Sequence, residues 1–219
     1  MRYQPAARYG YAPAVPVQTL LGQVLGITAI GLLVTACTAY FFQNVSYGAG
    51  FIALIVGFFV LLAINATRAN EALSLAMFYA FTALEGIGIA PTIQHYAVTV
   101  GPQVVVDAAL TSGLGMAALG CIVYATGLDL RRFQGIVLLA LVGLILAGIV
   151  AAFTHFLHPG VYAWITLAIF TALVLIDFAR IRAGGDGLTP VQLAVQIYLD
   201  AINIFLAVLQ LLGARRSRD

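Results

Sequence analysis

Residues 133–154 read FQGIVLLALVGLILAGIVAAFT, an uninterrupted run without one charged side chain. A helix of that length rises about 33 Å at about 1.5 Å per residue, enough to cross the roughly 30 Å of hydrocarbon in a bilayer. Backbone N–H and C=O groups find no partner in lipid, so such a run is a helix and not an open strand. Comparable runs recur on both sides, at 18–41, 48–65, 71–92, 103–125, 160–181 and 190–212. Together they predict an all-α integral membrane protein whose domain, residues 18–212, is a seven-transmembrane-helix bundle.

The composition agrees. Of 219 residues 63% are hydrophobic and 8% charged, against about 25% charged in a soluble domain. That is too little charge to coat a water-facing surface, and the natural surroundings are the lipid bilayer. All ten basic residues are arginine. A chain without lysine cannot form a retinal Schiff base or use any other lysine-dependent chemistry. The arginines are too few and too scattered for nucleic-acid binding. Cys37 and Cys121 lie inside apolar runs. They make neither a disulfide framework nor a zinc site, and are expected to be buried packing residues.

The punctuation fits short links between antiparallel neighbours. Tyr47-Gly48 breaks the first hairpin, Gly101-Pro102 opens the fourth span and His158-Pro159-Gly160 the sixth. The Gly-rich stretch 183–190 separates the last two spans, with Pro190 suited to a first helical turn. Residues 1–17 lack the basic n-region and short h-region of a signal peptide and predict a disordered cytoplasmic leader. Residues 213–219 form a basic C-terminal tail. Gly22 with Gly26, and Gly143 with Ala147, have the spacing that permits close helix approach.

Arginine placement sets orientation. With the N-terminus in the cytoplasm, Arg2, Arg8, Arg68, Arg131, Arg132, Arg180 and Arg182 all fall inside. Arg215, Arg216 and Arg218 are the exception, since seven spans put them outside. Either the first links dominate the topology or the last segment does not fully cross.

Charged side chains in a bilayer cost at least about 2.5–3.5 kcal/mol on insertion scales and usually face the bundle interior. Asp177 and Asp200 are the sharpest pair. In an antiparallel hairpin, residues equidistant from the turn share a depth. Their midpoint falls at Leu188–Thr189, within about half a helical turn of the centre of 183–190. Two close carboxyls in low dielectric do not both ionise readily, so the pair is expected to share a proton. A pH sensor, a cation ligand or a proton relay would follow. The alternative is structural: Asp177 pairing with Arg180 on one helix face, and Asp200 bonding Asn203.

Other candidates are fewer. Arg68 lies between the second and third spans, where it could counter-charge the pair or bond Glu71. Glu85 sits mid-span. Asp107 lies one turn inside the fourth span, where the helix dipole favours a carboxylate. His95, His155 and His158 fall in the links away from the arginines; His155 and His158 share a helix face but lack a third metal ligand.

The segment Ile197-Tyr198-Leu199-Asp200-Ala201-Ile202-Asn203-Ile204-Phe205, with Leu175-Ile176-Asp177, resembles the Bax inhibitor family. Gly86–Pro91 is similar to that family's third span. Ala108 and Thr111, with Asp129 and Leu130, resemble its fourth span and the following loop. The resemblance covers roughly residues 17–212. It implies a seven-helix fold with the last helix central. It also implies a pH-sensitive calcium leak governed by an aspartate pair matching Asp177 and Asp200, with an arginine matching Arg68 associated with it. Some members carry an acidic residue in the second span; here Gly48 to Asn65 has none, and Glu85 in the third is the candidate to substitute for it.

The expected function is thus a pH-sensitive cation leak in a bacterial plasma (inner) membrane. Calcium would be the permeant ion, with Asp177 and Asp200 as its potential ligands, and no cofactor is implied. The resemblance also supports a second reading, a non-transporting regulator of a partner such as a membrane-anchored AAA protease or another membrane protein. No enzyme is expected. Two intramembrane aspartates invite an aspartyl protease, but that class uses Gly-x-Gly-Asp and Tyr-Asp contexts. Here the contexts are Leu-Ile-Asp and Tyr-Leu-Asp.

Overall fold

The computed structural model describes residues 17–154 and 157–216. Seven helices follow one another: α1 Val17–Phe41, α2 Tyr47–Ala66, α3 Glu71–Thr99, α4 Gln103–Thr126, α5 Gln134–Thr154, α6 Pro159–Arg182 and α7 Pro190–Arg216. All seven lengths suffice to cross a membrane, and no strand occurs among the described residues. The leader at 1–16, His155 and residues 217–219 lie outside the described residues.

Local chemistry sets the helix ends. Ser46 Oγ accepts from Ala49 N at 3.2 Å to start α2, and Asn70 Oδ1 accepts from Leu73 N at 3.1 Å to start α3. Each satisfies one of the N–H groups that a helix start leaves unpaired. His158 Nδ1 does the same for α6, accepting from Gly160 N at 3.1 Å. Thr189 and Gln192 exchange hydrogen bonds in both directions, a capping box that launches α7. Gly127, at φ 73°, closes α4. Two of the expected spans grow by a turn or more: α7 continues to Arg216, and α3, the largest change, runs past Pro91 to Thr99. Proline removes one backbone donor, and the helix carries on around that gap.

Helix α7 occupies the middle. It packs against α1, α3, α4 and α6. Helix α2 is an outer layer on α3, and α5 an outer layer on α6. The most apolar window of α7 is 56% buried, whereas that of the fifth span is 6% buried. Large side chains such as Phe59, Leu139 and Trp164 point outward from the bundle, as a lipid-facing surface requires.

Close helix approach occurs at other glycines than those expected. Gly22, Gly26 and Gly143 have open space where a Cβ would stand. The tight crossings are at Gly86, against the Thr35 backbone and the Thr38 side chain, and at Gly50, whose Cβ would lie 3.1 Å from the Gly88 carbonyl. Spacing alone does not say which face of a helix meets a neighbour. The cysteines also differ from expectation: Cys37 and Cys121 are exposed on the outside of the bundle. In lipid an apolar side chain gains nothing from burial, so an apolar context does not imply an inward face.

The seven helices place Arg68, Arg131, Arg180 and Arg182 at one end of the bundle. Arg216, at the end of α7, meets Asp107, in the first turns of α4, at 2.5 Å. Helix α7 therefore runs the full length of the bundle. Gln103 also donates to Asp107 at 3.0 Å, so Asp107 has a structural role at the end away from the other arginines.

Candidate functional site

Asp177, on the last turns of α6, and Asp200, in the middle of α7, are brought together. They are 6% and 3% exposed. Their carboxyl groups lie within hydrogen-bonding reach of each other. Oδ2 of Asp200 is enclosed and receives no hydrogen bond from any N–H or O–H group. Arg180, one turn beyond Asp177, donates from Nη1 to Asp177 Oδ1 at 2.7 Å and to Gln196 Oε1 of α7 at 2.7 Å. Both sequence alternatives for Asp177 thus hold at once: it faces its partner carboxyl and pairs with Arg180. Asn203 instead donates to the Leu199 carbonyl at 2.8 Å, so it leaves Asp200 unbonded.

The buried pair is wired to the arginine-rich end of the bundle. Arg180 Nε lies 3.6 Å from Asp186 Oδ2, in the α6–α7 turn. Asp186 Oδ1 meets Arg131 Nη1 at 2.8 Å, and Arg131 also pairs with Asp129 at 2.8 Å. Acids and guanidiniums alternate from Asp177 through Arg180, Asp186 and Arg131 to Asp129. Outside the spans, hydrogen bonds from the Arg131 side chain and backbone hold the Asp129 carboxyl down at about 2. The turn carrying Asp186 is left-handed throughout, with Gly184, Gly185, Asp186 and Gly187 at φ 97°, 87°, 51° and 78°. Glycine tolerates that region; for aspartate it costs roughly 1–2 kcal/mol, and the two arginines hold the side chain there.

Two expected members are elsewhere. Arg68 stands exposed in the turn after α2 and forms no ion pair, with the carboxyl pair or with Glu71. Arg180 takes the position expected of it. A residue on the same helix face reaches a carboxylate without crossing the bundle, whereas Arg68 extends into water from an outer helix. Glu85 lies on the far side of α7, near Tyr198, which is about 200° around the helix from Asp200. Tyr198 is itself bonded to Thr35 Oγ1 at 2.6 Å and packed edge-on by Phe78 and Phe81.

A cavity of ≈ 520 Å³ opens between α5, α6 and α7, lined by both aspartates. Gln196, Asp200, Asn203 and Gln210 of α7 face it, as do Gln134 of α5 and Tyr162 and Thr166 of α6. Asp186, Gln196 and the Asp129–Arg131 pair are site neighbours that sequence reasoning missed. For Gln196 a signal existed, since it lies one turn before Asp200 on the same face. No group of three or more His, Cys, Asp or Glu side chains gathers as a metal site among the described residues.

Residues 17–217 match the family described as "Inhibitor of apoptosis-promoting Bax1". The inner membrane protein YbhL of Escherichia coli is 25% identical over 93% of this chain and 95% of its own length. A protein of Borreliella burgdorferi is 30% identical over 90% of this chain and 92% of its own. A membrane protein of Streptococcus pyogenes serotype M1 is 30% identical over 76% and 73%.

Proposed function

The chain belongs to the Bax inhibitor family of membrane proteins, and on that premise we propose that it is a passive cation leak, for calcium above all, gated by protonation of the Asp177–Asp200 pair. Its home is a bacterial inner membrane, with the N-terminus and the arginine-rich end in the cytoplasm. The observation that supports this reading is the buried Asp200 carboxyl, which lies within hydrogen-bonding reach of Asp177 and whose enclosed Oδ2 has no donor among the described residues. One shared proton satisfies both groups. Losing it sets two negative charges side by side, a repulsion of about 4 kcal/mol at about 4 Å and an effective dielectric constant of about 20. Arg180 offsets part of that charge. The rest acts across the α6–α7 contact, and a contact that is stable with one proton and strained without it is a gate.

Calcium takes about 6–8 oxygen ligands. Two carboxyls supply at most about four, and Arg180 repels a cation. The pair therefore suits a permeant ion that keeps part of its water, not a resident one.

Calcium flux into liposomes containing only this protein, measured across a pH series, tests the reading. Asp200→Asn and Asp177→Asn should flatten the pH dependence of flux while the protein stays folded. A folded variant that keeps the wild-type profile shows that the pair is not the sensor. Wild-type protein without flux at any pH moves the function to the regulator of a membrane partner, such as a membrane-anchored AAA protease.

A further inference from the structure

We infer that the cavity between α5, α6 and α7 is the water-filled route of the cation, running along one face of α7; this rests on the leak reading above. Gln196, Asp200, Asn203 and Gln210 are spaced by four, three and seven residues and all face the cavity. That spacing places them in one line on a helix. From Gln196 to Gln210 the line covers about 21 Å of the roughly 30 Å hydrocarbon layer.

Polar side chains in a bilayer turn toward protein partners or toward water. Oδ2 of Asp200 has no N–H donor among the described residues, and Asn203 bonds only to its own helix. Water can bond the amides of Gln196, Asn203 and Gln210 beside the shared proton of the pair, and ≈ 520 Å³ has room for on the order of ten molecules. The ionisable residues that line the cavity are the two aspartates and Tyr162, with no arginine among them. The wall is neutral or negative, and it favours a cation over an anion. Helix α2 offers no such path. Among its residues Tyr47–Ala66 there is no charged side chain, and it packs on α3, away from the aspartates. The α5 side of the cavity is held by packing on α6, so a modest displacement of α5 widens the route without disturbing the core around α7.

The test uses the full-length chain in liposomes, with Cys37→Ala and Cys121→Ala as background. A membrane-impermeant methanethiosulfonate reagent attacks only thiols that water reaches. Asn203→Cys, Gln210→Cys and Leu141→Cys should react at least tenfold faster than Leu139→Cys and Phe59→Cys, which face lipid. Calcium flux should fall about tenfold in Leu141→Trp and in Asn203→Leu, and stay unchanged in Leu139→Trp, with gel filtration confirming folded protein. Cavity thiols as inert as the lipid-facing ones overturn the route. So does full flux in both folded cavity variants, and either result leaves the leak standing. A wild-type chain without flux, whatever its thiols do, overturns the leak itself.

Discussion

The guanidinium of Arg180 lies 2.7 Å from the carboxylate of Asp177, one turn away on α6, and both side chains are buried. The pair therefore cannot be treated as a surface ion pair, where screening leaves about 0–1 kcal/mol. Removing one partner of a buried pair leaves the other charge without compensation, at a cost of roughly 3–5 kcal/mol. Arg180→Gln should accordingly lower the thermal unfolding temperature in detergent. Adding Asp177→Asn should recover most of the loss, because the stranded charge goes with it. Equal destabilisation in the single and double variants would show that Arg180 acts by packing.

Arg68 and Arg180 compete for one role, and the geometry separates them. Arg68 is exposed and forms no ion pair among the described residues. Arg68→Gln should leave the pH profile of calcium flux where it was and change stability by less than about 0.5 kcal/mol. Arg180→Lys keeps the charge but loses the planar fork that reaches Asp177 and Gln196 from Nη1 and Asp186 from Nε, and should shift the profile. The reverse ranking would return the counter-charge to Arg68.

At the arginine-rich end, Asp129 has a carboxyl held at about 2, below its ordinary 3.8. A group depressed on folding contributes stability that is present above its ordinary value and lost as pH falls through the folded one. Its ion pair with Arg131 is thus intact through the range of about pH 5 to pH 8. Asp129→Asn should leave the pH dependence of flux in that range unchanged. A flattened profile would place part of the sensor in the α4–α5 link.

Gly86 and Gly22 make a matched pair. A Cβ at Gly86 would meet the Thr35 backbone, at 2.5 Å from its carbonyl oxygen, which cannot give way as a side chain can. Gly22 faces open space. Gly86→Ala should destabilise by roughly 1–3 kcal/mol, the range for overpacking, and Gly22→Ala by about nothing. Unfolding curves in detergent would decide, and equal midpoints would mean that α1 and α3 are not in tight contact there.

Particular residues show what a sequence discloses in lipid. Run length marks the spans because the bilayer's thickness is fixed. The depth of Asp177 and Asp200 is also readable, since a short turn ties two antiparallel helices to a common origin. Rotation about a helix axis is harder. Lipid is as apolar as leucine, so a membrane helix lacks the polar outer face that reveals orientation in water. That is why the apolar surroundings of Gly22, Cys37 and Cys121 in the sequence do not disclose their outward faces. Arg68 illustrates a related point, because sharing an end of the bundle does not bring two groups into an ion pair. Asp186 was invisible as a site neighbour, since its link to Arg180 and Arg131 depends on a left-handed turn.

The central place of α7 bears on biosynthesis. It is the last of these seven helices to leave the ribosome, yet it supplies the surface on which α1, α3, α4 and α6 meet. All six earlier helices must enter the membrane before the partner that four of them share exists. Until then the Asp177 carboxyl and the Arg180 guanidinium lack their α7 neighbours, Asp200 and Gln196. Translocating the α7 end that carries Arg215 and Arg216 completes the bundle, and Arg216 then meets Asp107 on the far side. Maturation is therefore a single late event, in which insertion of one helix assembles both the core and the carboxyl pair. A nascent chain stalled before Pro190 would be fully inserted, without its central helix and open to membrane quality-control proteolysis.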